Sequence, residues 1–90
     1  MAIKAEISWV RKDSEGHKTQ VNARKAGGTW RFFHRAARHD VWLPLHPVPL
    51  EDWLELLDSI RRRIPRRLMT PEEERRVVEA IRQQYPSADL

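Results

Sequence analysis

The chain contains no cysteine. Its absence excludes disulfide bonds, thiolate nucleophiles and every zinc or iron–sulfur site that depends on cysteine ligands. No apolar run approaches the roughly 20 residues that a membrane-spanning helix needs, and the opening residues lack the long apolar segment of a signal peptide. We therefore expect a cytoplasmic protein that does not associate with membranes.

Glycine is also scarce, with three residues in the whole chain. Gly27 and Gly28 are adjacent, but a phosphate-cradling loop needs more glycines and a helix directly after them. Residues 29–34 follow and are strand formers, so the pair indicates a hairpin turn. No serine lies in a nucleophile elbow, and the four histidines show no metal-ligand spacing. We expect a protein that is not an enzyme and that holds no metal ion or cofactor.

What the chain does contain is typical of one small globular domain. Of its 90 residues, 40% are hydrophobic, and four tryptophans are many for this length. A tryptophan can bury up to about 250 Å² of surface, so we expect all four to dominate the core. They are Trp9, Trp30, Trp42 and Trp53. A length of 90 residues predicts a single domain over residues 1–90.

Alternating apolar and polar residues predict three strands and a weaker fourth. The first covers residues 3–12 and the second residues 17–24, with turn-forming residues 13–16 between them. The third follows the glycine pair over residues 29–34, and a short fourth is predicted within residues 40–44.

The clearest helix is predicted over residues 49–64, where apolar residues recur at intervals of three and four. This stripe comprises Leu50, Trp53, Leu54, Leu57, Ile60 and Ile64. Pro49 suits the first helical position. Pro65 is expected to end the helix because proline disfavours helical geometry at the residue before it. Acidic residues in the first half and arginines in the last turn match the helix dipole.

A second helix is predicted over residues 71–85. Thr70 suits the N-cap and Pro71 the first helical position, and Glu73 completes the capping-box pattern. The apolar stripe of this helix is narrower and comprises Val77, Val78, Ile81 and Tyr85. Before the first helix, the proline-rich connector 44–49 fits either a stiff link or a PxxP peptide of the kind that aromatic grooves bind.

Strands followed by helices predict an α+β fold rather than a parallel sheet. We expect a three- to four-stranded antiparallel β-meander, followed by two α-helices packed on one face of the sheet. In that arrangement the tryptophan-rich side of the sheet faces the helices and the opposite side faces water.

The positive charge is unevenly distributed along the chain. The net charge is +4, but residues 1–45 hold nine bases against four acids, whereas residues 46–90 hold eight bases against nine acids. A polyanion binds where positive charge is concentrated, so the strand half is the favoured surface.

The outward side of the predicted strands combines this charge with one aromatic ring, that of Phe33. The surrounding bases are Lys4, Lys12, Lys18, Arg24, Arg31 and Arg35. Proteins bind single-stranded nucleic acid with such an arrangement, through base stacking and phosphate neutralisation. An ordinary solvated face with one stray aromatic residue is the other interpretation of the same pattern.

A second group of bases lies at the end of the first predicted helix. It consists of Arg61, Arg62, Arg63, Arg66 and Arg67. Guanidinium groups so close together can grip phosphates bidentately. They can equally complement the helix dipole and pair with the acids that begin the second helix.

Two functions from different classes follow from these patterns. The first is a nucleic-acid-binding module, for RNA or single-stranded DNA, that uses the basic strand residues together with Arg62, Arg63, Arg66 and Arg67. The alternative is a protein–protein interaction or accessory domain, including a homodimer, that buries Phe33 or joins through an exposed strand edge.

Overall fold

A computed structural model describes residues 5–90 as a four-stranded antiparallel sheet followed by two helices. The strands are β1 (Glu6–Lys12), β2 (Lys18–Ala26), β3 (Thr29–Arg35) and β4 (Leu43–Pro44). The helices are α1 (Leu50–Arg63) and α2 (Pro71–Gln84). The predicted α+β class is confirmed. Two residues of the predicted first strand lie outside the described residues: Ile3, which we assigned to its tryptophan-rich side, and Lys4, which we assigned to its basic side.

The chain divides into two compact units, with the boundary between Val48 and Pro49. The four strands belong to the first unit and the two helices to the second. The assignment of the chain to one domain and the packing of the helices on the sheet stay predictions.

The strands pair in chain order, so the sheet is the predicted meander. In the β1–β2 turn, Asp13 Oδ1 accepts two backbone N–H groups of its own loop, both at 2.9 Å, and Gly16 has a φ of +84°. In the β2–β3 turn, Gly27 and Gly28 have φ values of +58° and +82°. A type I′ hairpin turn requires positive φ at both central residues. The hairpin interpretation of the glycine pair is confirmed.

The strand register separates the side chains of the sheet into two faces. Ile7 pairs with Ala23, and Ala23 pairs with Phe32, so these three share one face. We call this the apolar face. Its buried side chains are Ile7, Val21, Ala23, Trp30 and Phe32. Trp9 also lies on it and meets Phe32 edge to face, with ring centroids 6.2 Å apart.

Helix α1 begins one residue later than predicted. Pro49 is its N-cap, with an extended ψ of 147°, rather than its first helical residue. The Pro49 carbonyl accepts the N–H groups of Asp52 and Trp53 at 3.1 and 3.2 Å. Proline therefore starts the helix through its carbonyl oxygen and not by filling the first helical position.

The buried side of α1 is also rotated from the predicted stripe. Its buried residues are Asp52, Trp53, Leu56, Leu57, Ser59 and Ile60. Leu54, which we placed in the stripe, is 38% exposed, whereas Leu56 is fully buried. Two polar residues, Asp52 and Ser59, accompany Leu56 on its side of the helix. A pattern that counts only apolar residues therefore does not identify this side of the helix as buried.

The end of α1 is formed differently from the prediction. Ile64, directly before Pro65, keeps helical dihedral angles of −59° and −48°. The chain turns at Arg67, which has a φ of +59°. The N–H of Leu68 donates to the carbonyl of Arg63 at 3.1 Å, and the N–H of Arg67 donates to that of Ile64 at 2.9 Å. These two bonds form a Schellman motif with Arg67 at its left-handed position.

We expect Arg67→Gly to raise the free energy of unfolding by about 1 kcal/mol. An L side chain in the left-handed region costs roughly 1–2 kcal/mol, of which the greater chain entropy of unfolded glycine offsets only part. Urea denaturation would measure the change. Arg66→Gly, one residue earlier and outside the left-handed region, is the matched control and should lower the stability. An unchanged or lower stability of Arg67→Gly would contradict this account.

Helix α2 begins as the capping pattern predicted. Thr70 is the N-cap, its Oγ1 accepts the N–H of Glu73 at 3.2 Å, and Pro71 is the first helical residue. Val77 and Ile81 of the predicted stripe are buried. Neither α1 nor α2 has the length and apolar character that crossing a membrane would need.

The two helices are tied together at both ends. Trp53 Nε1 donates to Gln84 Oε1 at 3.2 Å, and Arg61 Nε donates to Glu74 Oε2 at 2.7 Å. The start of α1 therefore lies beside the end of α2, which makes the pair an antiparallel helical hairpin.

Candidate nucleic-acid interface

The second face of the sheet collects the polar and charged residues of the first three strands. By register, its strand residues include Glu6, Ser8, Val10, Lys12, Lys18, Gln20, Asn22, Arg24, Arg31, Phe33 and Arg35. We call this the basic face. All the strand residues that we predicted for binding and that lie within residues 5–90 share it. They are Lys12, Lys18, Arg24, Arg31, Phe33 and Arg35.

The side chain of Asn22 organises the centre of the basic face, where it is 1% exposed. Its Nδ2 donates to Glu6 Oε1 at 2.9 Å and to Ser8 Oγ at 2.7 Å. Its Oδ1 accepts the Nε–H of Arg24 at 2.6 Å. Both ends of the amide are thus engaged, and the bond to Arg24 fixes the direction of that guanidinium group.

Guanidinium groups cover two aromatic rings on this face. The Arg24 guanidinium lies 4.8 Å from the centre of the Phe33 ring, and that of Arg35 lies 4.2 Å from the Trp42 ring. Both distances are within the range of cation–π contacts. Arg35 is held in place because its Nε donates to Gln20 Oε1 at 2.7 Å. We expected Phe33 to offer an open ring, whereas the structure places Arg24 over it.

Trp42 is a residue of this site that the sequence did not indicate. We expected it in the core, but it is half-buried directly before β4 and lies under Arg35. With Val10, Gln20 and Arg35 it lines an open groove of about 240 Å³. Alternation places Trp42 on the same face as Pro44. However, only the pairing of Pro44 with Phe33 shows that this is the basic face.

Like charges oppose each other directly at two places on the basic face. Lys12 pairs with Lys18 across β1 and β2, and Arg24 pairs with Arg31 across β2 and β3. The single acid among the residues of β1–β3 is Glu6, which lies directly opposite Arg24 and is bonded to Asn22. Directly opposed like charges destabilise an antiparallel pair. At Lys12 and Lys18, where no acid of β1–β3 lies opposite either base, the basic face retains a like-charge repulsion.

The arginines at the end of α1 divide into bonded and open groups. Arg61 forms an ion pair with Glu74 at 2.7 Å, and Arg62 forms one with Asp58 at 3.2 Å. Arg63 donates a hydrogen bond to the Ser59 carbonyl at 3.0 Å. Arg66 and Arg67 are exposed, and their side chains have no bonding partner within residues 5–90. Local pairing thus accounts for Arg62 and Arg63, and leaves Arg66 and Arg67 as candidates for phosphate contact.

The fold and this site define a small α+β protein with a basic, arginine-rich sheet surface. In the part of the chain that the structure describes, no three His, Asp or Glu side chains are placed to hold a metal ion. No family model matches the sequence, and no curated protein or solved structure is significantly similar to it. The residues of the basic face are therefore the features of this chain that point to a function.

Proposed function

We propose that this protein binds single-stranded nucleic acid, RNA or single-stranded DNA, through the basic face. The observation that supports the proposal most directly is the register, which places Lys12 opposite Lys18 and Arg24 opposite Arg31. The Lys12–Lys18 opposition costs sheet stability in the free protein, whereas Arg24 also has Glu6 opposite it on β1. A phosphate backbone along the face would neutralise these charges and release its own counterions, which favours binding.

The covered aromatic rings add a second kind of contact. The guanidinium plane of Arg24 lies over the Phe33 ring, and that of Arg35 lies over the Trp42 ring. Exposed bases stack on arginine planes as well as on aromatic rings, and base–aromatic stacking is worth about 1–3 kcal/mol per base. The Nε atom of Arg24 donates to the Asn22 side chain, and that of Arg35 donates to the Gln20 side chain. Both stacking surfaces are therefore oriented before the ligand arrives.

Such surfaces favour a single strand over a duplex, because duplex bases are already stacked on one another and cannot reach them. Titration of the protein with one labelled RNA oligonucleotide, alone and annealed to its complement, measures this preference. DNA of the same sequence gives the comparison with RNA. We expect tighter binding of the single strands at every salt concentration.

The double variant Arg31→Ala plus Arg35→Ala tests whether the basic face is the binding surface. We expect lower affinity and a salt dependence of log affinity that is shallower by about 1.4, since each phosphate contact to a single strand contributes about 0.7. Arg75→Ala plus Arg82→Ala removes the same charge from exposed positions of α2 and should leave the slope unchanged.

A third double variant tests the open arginines at the end of α1. Arg66→Ala plus Arg67→Gly removes both charges and places glycine where φ is positive. A shallower salt dependence of log affinity for this variant would show that these arginines belong to the interface.

If the wild-type protein binds no more tightly than an unrelated protein of equal charge, the proposed function is wrong.

A protein-interaction surface is the second candidate, because exposed aliphatic side chains lie in β4 and just before it. Val41 is 78% exposed and Leu43 is 54% exposed. Both line an open groove of about 400 Å³ that also includes Thr19 and His34. A protein that stays bound through purification after nuclease treatment, and that is lost on Val41→Ser plus Leu43→Ser, would favour this candidate.

A further inference from the structure

The first strand lies at an edge of the sheet, since β1 is paired with β2 alone among the described strands. The N–H of Lys25 donates to the carbonyl of Ala5, and the N–H of Asp13 donates to that of His17, each at 3.0 Å. Hydrogen-bonded pairs alternate along an antiparallel ladder. The odd-numbered residues of β1 therefore direct their backbone groups to β2, and the even-numbered residues direct theirs to the open edge.

The outward-directed residues of β1 form a ladder ready for another strand. They are Glu6, Ser8, Val10 and Lys12, and all four are exposed. Their N–H and C=O groups point away from β2. An exposed row of this kind is the template on which a further strand adds to a sheet.

The sequence of this edge is complementary to itself. When two β1 strands run antiparallel with Trp9 opposite Trp9, Glu6 of each copy faces Lys12 of the other, and Ser8 faces Val10. Every outward-directed residue then meets another outward-directed residue, as the ladder requires. Opposite charges across such a pair are stabilising, and symmetry supplies the Glu6–Lys12 contact twice.

Neighbouring registers lose this match. Centring the two strands on Ser8 opposes Glu6 to Val10, and centring them on Val10 opposes Lys12 to Ser8. Both shorten the ladder, and neither pairs Glu6 with Lys12. Registers shifted by an odd number of residues place outward groups opposite inward ones, so hydrogen bonds cannot form.

We propose that two copies of this chain associate through β1, antiparallel and centred on Trp9, to form one continuous eight-stranded sheet. Residues that face each other across the join lie on the same side of a sheet. The basic faces of the two copies therefore join into one surface of twice the width, measured across the strands. This inference depends on the edge geometry of β1 and not on the proposed function.

Sedimentation of nuclease-treated protein over a range of concentrations tests the proposal. We expect the wild-type protein to be a dimer at the higher concentrations. Lys12→Glu turns both Glu6–Lys12 contacts into repulsion and should raise the dissociation constant about tenfold or more. Lys18→Glu is the matched control, because it changes the same Lys12–Lys18 pair within the chain but lies on β2. It should leave the dimer intact.

A mixing experiment and a backbone variant make the test independent of the folding of any one variant. In an equimolar mixture of the Lys12→Glu and Glu6→Lys variants, an acid of one chain faces a base of the other at both positions where Glu6 meets Lys12. The two variants should therefore form a mixed dimer. Val10→Pro removes an outward N–H that the β1–β2 ladder does not use, and should block association while leaving the sheet folded. A wild-type protein that is monomeric at every concentration would overturn the proposal. So would a dimer that survives Lys12→Glu or Val10→Pro.

Discussion

Leu56→Ala is expected to lower the free energy of unfolding by about 2–5 kcal/mol. Leu56 is fully buried in α1, so the truncation removes apolar contacts and leaves a cavity that its neighbours can close only in part. Small proteins have a total stability of roughly 5–15 kcal/mol. The loss would therefore be visible as a large fall in the urea midpoint and in the melting temperature.

Leu54→Ala is the matched control for this prediction. It is the same chemical change two residues away, at a side chain that is 38% exposed, and it should cost less than about 1 kcal/mol. The two variants compare the stripe that spacing alone predicts, which includes Leu54, with the buried side that the structure shows. A larger loss for Leu54→Ala than for Leu56→Ala would mean that α1 is oriented as the sequence pattern predicted.

Arg31→Glu is expected to have opposite effects on stability and on binding. Arg31 is exposed and directly opposite Arg24, so an acid there replaces repulsion by attraction. We expect the free energy of unfolding to rise by about 0.5–1 kcal/mol. Affinity for single-stranded RNA should fall by about 25-fold at roughly 0.1 M salt. One lost phosphate contact removes about 0.7 log units there, and an added negative charge removes a similar amount.

The opposite signs separate a binding defect from unfolding. A variant that binds less because it is poorly folded would be less stable, whereas this one should be more stable. Arg75→Glu makes the same change in net charge on an exposed residue of α2 and should bind nearly as well as the wild type. If Arg31→Glu and Arg75→Glu bind equally well, the basic face is not the interface.

Much of the fold could be predicted because the signals for it are local. A glycine pair between two alternating runs needs only its own dihedral angles to make a hairpin turn, and Thr70 needs only Glu73, three residues on, to start α2. Side chains also alternate between the two faces along a strand, so Arg31 could be assigned to the face opposite Trp30 and Phe32. These features depend on residues only a few positions apart, so they can be predicted from a single sequence.

The candidate site was predictable in composition but not in arrangement. The bases around Phe33 could be assigned to one face from alternation within each strand. Their partners could not, because the pairing of Arg24 with Arg31 and the bonds to Asn22 depend on which residues of separate strands lie opposite one another. Trp42 was placed in the core for the same reason, since nothing local shows that its ring lies under Arg35.

The amino-acid sequence by itself determined the order of the elements, the turns between them and the concentration of positive charge on one side of the strands. Only the tertiary structure decided which like charges face each other, which rings the arginines cover and which side of α1 is buried. The physical reason is distance along the chain. Turn, cap and alternation signals depend on near neighbours, whereas register, stacking and burial depend on residues that meet only when the chain has folded.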